Sequence, residues 1–317
     1  MLIDGQWQGD WQPVQDQDDN GRFIRQTSQF RHWITPDGSA GATGIAGFKA
    51  EPGRYRLYVA LICPWACRTL MARQLKGLQA LIDIVILNPV LTDQGWRFGG
   101  FSDTGAAPFA GCDYLHQLYT LADPHYTGRA TVPLLWDTQL NRAVNNESAD
   151  ILAMFNTAFD HLTGNRLDLR PDALRAEINT LNQWLYEEIN NGVYKTGFAT
   201  TQRAYEEAYQ HLFNALDSLE LRLANRPYLL GEQLSDPDIR LFVTLVRFDA
   251  AYHGLFKCNQ RSIASYPALS AYVQRIYQID GIADTVNIQH IKQGYYSIKA
   301  LNPNGIVPVG PANLFCE

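Results

Sequence analysis

Between Arg54 and Asp150 the spacing of apolar residues changes several times, and each change predicts an element. Tyr55, Leu57, Val59 and Leu61 alternate with Arg54, Arg56, Tyr58 and Ala60, the period of two that a half-buried strand requires. From Cys67 onward the period lengthens. Cys67, Leu70, Met71, Leu75 and Leu78 recur every three or four residues, and Pro64 stands where a first helical residue needs no amide hydrogen. The pattern predicts a strand running directly into a helix, with Cys63 at the junction. A second strand follows over residues 81–87, a β-branched run closed by Asn88-Pro89. Beyond Gln94-Gly-Trp96-Arg97-Phe98 lies a Gly/Ala/Pro-rich segment from about 99 to 128, too long for a simple turn. Two short strands come next, one of them carrying Val132-Pro133, where the proline can begin a strand but cannot sit mid-ladder. Asn145 to Asp150 opens a helix through Ile151 and Phe155, with Glu147 and Ser148 at its start.

The second half is helical throughout. Leu174, Ile178, Leu181, Leu185 and Ile189 form one apolar stripe, and Tyr205, Tyr209, Leu212, Leu216, Leu219 and Leu223 form another. Ser235-Asp236-Pro237-Asp238 resembles a capping box with Asp in place of Glu, and its helix continues to Tyr252. A fourth helix follows Pro267 and a fifth runs up to Tyr295-Tyr296. The two ends lack any period. Residues 1–50 carry Trp7, Trp11, Phe23, Phe30 and Trp33 at irregular intervals and read as an irregular arm anchored by aromatics. The tail, 301–317, is broken by proline and glycine. The organisation is an arm (1–50), an α/β domain (51–160), an all-α domain (161–300) and the tail.

Composition narrows the function classes. With 26 basic and 32 acidic residues, a net charge of -6 and a pI near 5.6, the surface is not built to hold phosphate backbones, so nucleic acid is excluded as a partner. No apolar run approaches the roughly 20 residues of a membrane span, and the start lacks the basic-then-apolar character of a signal peptide. A soluble, cytoplasmic protein is expected. The five cysteines (63, 67, 112, 258 and 316) are odd in number and scattered, unlike a disulfide framework. The seven histidines show no ligand spacing, so no metal is expected.

Cys63 is the candidate for chemistry. At a helix start, unmade backbone N–H bonds and the positive end of the dipole favour a thiolate, whereas a buried strand-end cysteine would be inert. A helix start at Glu147 and Ser148 can likewise hold a charge. An extended tripeptide with two carboxylates and a thiol would use both, together with an edge of open backbone.

A strand-helix-strand unit with cysteine at the helix start, a later Val-Pro and a Glu-Ser at another helix start, followed by helices, resembles a glutathione transferase. The wider pattern is similar to one branch, the Xi class or glutathionyl-hydroquinone reductases. The resemblance rests on Phe30-Arg-His-Trp-Ile-Thr35, Gly53-Arg-Tyr55, Cys63-Pro-Trp-Ala66, Asn190-Asn-Gly-Val-Tyr194, Arg247-Phe-Asp-Ala-Ala-Tyr252, Phe256-Lys-Cys-Asn259, Tyr295-Tyr296 and Asn302 to Pro311. It implies a thioredoxin-like α/β domain followed by an all-α domain, glutathione as co-substrate, and a homodimer joined through the helices. Cys63 would attack the sulfur linking glutathione to a hydroquinone ring, and a second glutathione would resolve the mixed disulfide. By the same resemblance, Val132 ahead of a cis Pro133 would offer its backbone to glutathione. Glu147 and Ser148 would hold the γ-glutamyl end, Trp96 would pack on glutathione, and Arg97 could meet the glycyl carboxylate. Tyr194, Tyr252 and Tyr295 would receive the aromatic ring, and Tyr194 or Tyr295 could supply a proton. Tyr296 competes with Tyr295 for that place, because successive helical residues point about 100° apart. Cys67 stands where the family usually has His, either as a packed small residue or as a resolving thiol. Two alternatives stay open on the same fold: an Omega-like thioltransferase or dehydroascorbate reductase, and a non-catalytic glutathione-binding protein.

Overall fold

The computed structural model describes residues 1–9 and 16–312, so the expectations placed on Trp11 and Cys316 fall outside the described residues. Contacts divide the described chain into two compact units, one of residues 1–9 and 27–167, the other of residues 16–26 and 168–312.

The first unit begins with a hairpin where irregular structure is expected. β1 (Leu2–Ile3) pairs antiparallel with β2 (Gln6–Trp7). Asp4 and Gly5 between them both take positive φ, 49° and 71°, the geometry a two-residue hairpin turn demands. A side chain at position 5 would also strike the Pro124 carbonyl. The aromatic anchors do serve the arm. Trp7 stacks on His116 with centroids 4.5 Å apart, and Phe30 meets Tyr119 and Tyr126 at 5.4 and 5.3 Å.

The main sheet has the order β4-β3-β5-β6. β3 (Tyr55–Val59) lies parallel to β4 (Ile82–Ile86) and antiparallel to β5 (Leu134–Asp137), which pairs antiparallel with β6 (Arg142–Asn145). α1 (Pro64–Leu75) makes the crossover between the parallel pair and packs against α3 (Ser148–Thr157). The two central strands, β3 and β5, are almost wholly buried; Tyr55, Leu57, Val59, Leu134 and Leu135 have no exposed surface. A helix absent from the expectation, α2 (Leu115–Ala122), occupies the long connection and buries Leu115, Leu118 and Tyr119. Those three stand at helical spacing, but the Gly- and Pro-rich flanks obscure it. The unit closes with the short α4 (Asp160–Thr163).

The second unit is helical. α5 (Arg175–Leu185), α6 (Gly192–Gly197), α7 (Gln202–Leu223), α8 (Asp236–Arg247), α9 (His253–Leu255), α10 (Pro267–Tyr277) and α11 (Ile288–Tyr296) follow in order. Two π-helical turns interrupt them, Tyr186–Asn190 after α5 and Phe248–Tyr252 after α8. Neither was legible in the periodicity, which runs straight through both.

Every residue of α8 is buried, including four charged side chains, Asp236, Asp238, Arg240 and Arg247, that must therefore be partnered. The expected capping box forms: Asp238 Oδ2 accepts from the Ser235 N–H and hydroxyl at 2.8 and 2.7 Å. Asp236 accepts from Arg240 and Arg170, each at 2.6 Å. Burial opposes its charge, but the two guanidiniums win and hold its carboxyl below the ordinary range. A carboxyl depressed on folding contributes stability that is present above its unfolded value of 3.8 and lost as pH falls. Asp236→Asn is therefore expected to lower stability by about 3 kcal/mol at pH 7 by leaving buried guanidiniums poorly matched. Denaturant unfolding should show that deficit shrinking below about pH 4.

Candidate active site

β3 ends at Val59 and the chain turns through Ala60 to Ile62, the Cys63 N–H donating to the Ala60 carbonyl at 2.9 Å. Cys63 is then the N-cap of α1, with extended backbone (φ −77°, ψ 120°) and Pro64 as the first helical residue. Its carbonyl accepts the Cys67 amide at 3.0 Å. The cysteine is 8% exposed, and its sulfur donates to the Val132 carbonyl at 3.5 Å. Val132 precedes Pro133 through a cis bond, immediately before β5. Residues 69 positions apart are thus joined at one point.

Five positions on from Cys63, the Arg68 guanidinium lies 4.4 Å from the Trp65 ring and reaches the Ser148 hydroxyl at 3.4 Å. Arg68 is 1% exposed and was not singled out in the sequence. No spacing marks it, since its role depends on α1 packing against α3. Glu147 is the N-cap of α3. Its carboxylate accepts from the Ala149 amide at 3.1 Å and from the Ser28 hydroxyl at 3.1 Å, while Ser148 is buried beside it. A cap and a ligand-holding carboxylate are compatible, because a carboxylate has acceptor sites to spare. Trp96 is buried and Arg97 exposed on the segment after β4. That segment is tied down through its backbone, the Trp96 carbonyl accepting from Leu115 and the Arg97 carbonyl from Asn88, both at 2.9 Å. Cys67 has no exposed surface, and Cys63, Cys67, Cys112 and Cys258 are all thiols.

In the second unit Tyr194 on α6, Tyr252 at the end of the second π turn and Tyr295 on α11 come together. The Tyr295 hydroxyl stands 2.7 Å from that of Tyr194 and 2.8 Å from that of Tyr252. Tyr252 is wholly buried and Tyr295 3% exposed, whereas Tyr194 is half-buried. Burial pushes the Tyr252 and Tyr295 phenols well above their ordinary range. Tyr296, one residue on, is not in this cluster; its hydroxyl turns to the backbone around Gly254 and Leu255. Phe256 closes on all three rings, with centroids 5.2 to 5.6 Å away. Among the described residues no cluster of His, Cys, Asp and Glu could hold a metal ion.

Comparison with known proteins identifies both domains. Residues 62–158 match the glutathione S-transferase N-terminal domain and residues 202–275 the C-terminal domain. Glutathionyl-hydroquinone reductase YqjG of Escherichia coli is 48% identical over 98% of this chain and 95% of its own length. PcpF of Sphingobium chlorophenolicum, with the same activity in its name, is 48% identical over 98% and 96%. The glutathione-bound structure of YqjG superposes with a TM-score of 0.90 at 46% identity, covering 99% of this chain and 96% of that one. The Xi-class transferase of Phanerochaete chrysosporium does so with 0.89 at 45%, covering 94% and 96%. The chain is a Xi-class glutathione transferase, of the glutathionyl-hydroquinone reductase family.

Within this Xi-class fold the phenol cluster has a definite energetic order. Tyr295 is its hub, so Tyr295→Phe removes its bonds to both other phenols at a buried position, while Tyr194→Phe acts at the half-buried rim. Urea unfolding is expected to show a loss of about 1–2 kcal/mol for the first and under about 1 kcal/mol for the second. The opposite order would mean that Tyr295 is not the hub.

Proposed function

We propose that this protein removes glutathione from glutathionyl-hydroquinones, yielding hydroquinone and oxidised glutathione through a mixed disulfide at Cys63. The observation that carries the reading is the position of Cys63 as N-cap of α1, its sulfur on the Val132 carbonyl. The positive helix end stabilises a thiolate there. As the thiol ionises it gives up its bond to Val132, and that carbonyl becomes available to the cysteinyl N–H of glutathione. The Cys63 thiolate attacks the sulfur of the conjugate and the hydroquinone departs. A second glutathione thiolate then attacks the mixed disulfide, regenerating Cys63.

Binding follows from the charges at hand. Glu147 takes the γ-glutamyl amine, and Ser148, with the Arg68 guanidinium behind it, takes the carboxylate. Trp96 packs on the tripeptide and Arg97 meets the glycyl end. Tyr194, Tyr252 and Tyr295 provide the phenols for the quinol ring. The phenol cluster favours this activity over an Omega-like thioltransferase, which has no use for ring-directed hydroxyls. A cytoplasmic homodimer is the working form we propose; no helix among the described residues is long and apolar enough to cross a membrane.

Mass spectrometry after one equivalent of a glutathionyl-hydroquinone should find one glutathione on Cys63 and hydroquinone in solution. Cys63→Ala should abolish both signals, and full turnover by that variant would end the proposal. Cys67→Ser should turn over normally with glutathione; a loss would make Cys67 a resolving thiol. Glu147→Gln keeps an oxygen for the Ala149 amide but removes the charge. Calorimetric titration should therefore show glutathione bound about 10-fold more weakly at unchanged folding stability.

A further inference from the structure

Tyr119 on α2 lies within the first unit, and its hydroxyl is committed entirely to the protein's own groups. The residue has no exposed surface, and its ring is wedged against Phe30 and Tyr126 at centroid distances of 5.4 and 5.1 Å. The hydroxyl donates its proton to the Thr131 carbonyl at 2.7 Å, while its oxygen accepts the Thr131 N–H at 3.1 Å and the Asn146 Nδ2 at 3.2 Å. One proton and two lone pairs are all that a phenol has. The Asn146 side chain, itself 4% exposed, also reaches the Thr131 hydroxyl at 3.5 Å, and its oxygen accepts the Phe30 N–H at 3.0 Å.

The two residues tied in this way have telling neighbours. Thr131 immediately precedes Val132 and its cis bond to Pro133, and Asn146 immediately precedes Glu147 and Ser148 at the start of α3. β5 and β6 connect the two places, and the last pair of their ladder is Leu135 with Asn145. Beyond that pair the ladder no longer sets how far the two segments stand apart. Tyr119 supplies the missing tie from a third element.

Resting on the function proposed above, we propose that Tyr119 is a positioning residue for glutathione: through Thr131 and Asn146 it sets the span between the Val132 backbone and the Glu147-Ser148 helix start, so that one tripeptide engages both at once. A ligand already held at one point makes its second contact at little further entropic cost, and that advantage is lost when the two points fall out of span. Burial pushes the Tyr119 phenol above its ordinary range, so the proton on the Thr131 carbonyl stays in place. Cys63 depends on the start of α1 for its reactivity, so loss of the tie falls on binding and not on the thiol.

Tyr119→Phe keeps the ring and deletes the tie. Calorimetric titration of the full-length protein is expected to show glutathione bound about 10-fold more weakly, with KM for glutathione in hydroquinone release rising alike. At saturating glutathione kcat should stay within about 2-fold of wild type, as should the rate of Cys63 alkylation by iodoacetamide. Asn146→Ala cuts the same tie from the other side, so the two changes together should cost far less than the product of their separate losses. Leu118→Val, beside Tyr119 and 1% exposed, disturbs the packing of α2 without touching the tie. It should lower the urea midpoint yet leave glutathione affinity within about 2-fold of wild type. Unchanged binding by Tyr119→Phe overturns the inference, as does an equal loss of affinity and alkylation rate, full additivity with Asn146→Ala, or equal weakening by Leu118→Val. Should Tyr119→Phe fail to fold, Asn146→Ala set against Leu118→Val carries the test on the same criteria. If wild type itself binds no glutathione, the function proposed above falls and takes this with it; wild-type binding beside an unaffected Tyr119→Phe ends this inference alone.

Discussion

The first turn of α1 carries a conflict between stability and chemistry. A helix start normally satisfies its amides with a hydroxyl or carboxylate cap, worth about 1 kcal/mol. At α8 the protein does this in full, with Ser235 and Asp238 in a reciprocal box. At α1 it does not: the N-cap is Cys63, which makes no side-chain cap bond. The dipole end is left to act on a sulfur and on whatever anion arrives. α3, packed against α1, repeats the theme with Glu147 as cap and Ser148 beside it. Two helix starts, one uncapped and one capped by a carboxylate with acceptor sites in reserve, are what a dipolar tripeptide with a thiol needs. Arg68 supports both, since it stacks on the first turn of α1 while touching the first residue of α3.

In the second unit the π turns play the corresponding part. Inserting one residue into a helix rotates everything after it by about 100°, and such turns recur at functional sites. The turn at Phe248–Tyr252 ends on Tyr252, and the one at Tyr186–Asn190 delivers Asn190 to the Arg240 carbonyl and Asn191 to Arg25. A continuous α-helix through either segment would point these side chains elsewhere. The phenol cluster is thus a product of two local departures from regular helix, next to an all-buried α8 whose Asp236 is matched by Arg240 within the helix and by Arg170 outside it.

Much of this was legible in residue order, and the limit has a physical reason. The period change at Cys63, the β-branched run at 82–86, the Pro133 strand start and the capping box at Ser235 are local patterns, and each reappears as an element. The hairpin at Asp4-Gly5 was also locally encoded, but two-residue strands are too short to show alternation. α2 was hidden by its flanks. The π turns, Arg68 and Tyr119 could not have been read in this way, because what defines them is the neighbour across space: Ser148 for Arg68, Thr131 and Asn146 for Tyr119. The choice between Tyr295 and Tyr296 was likewise undecidable from periodicity, and three-dimensional packing settles their directions, one to the phenols and one to the α9 backbone.

Cys67 bears on which thiol completes the cycle. It lies one turn beyond Cys63, and its amide makes the first regular bond of α1, to the Cys63 carbonyl. Side chains so spaced on a helix keep their Cβ atoms about 5–6 Å apart, whereas a disulfide brings them to roughly 3.5–4.5 Å. Closing that gap would pull apart the first turn of α1, the very structure that favours the Cys63 thiolate. Cys67 is also sealed from solvent, so a mixed disulfide at Cys63 would have to be attacked from within the core. An incoming glutathione meets neither obstacle. The geometry therefore favours resolution by a second glutathione, with the helix start intact throughout the cycle.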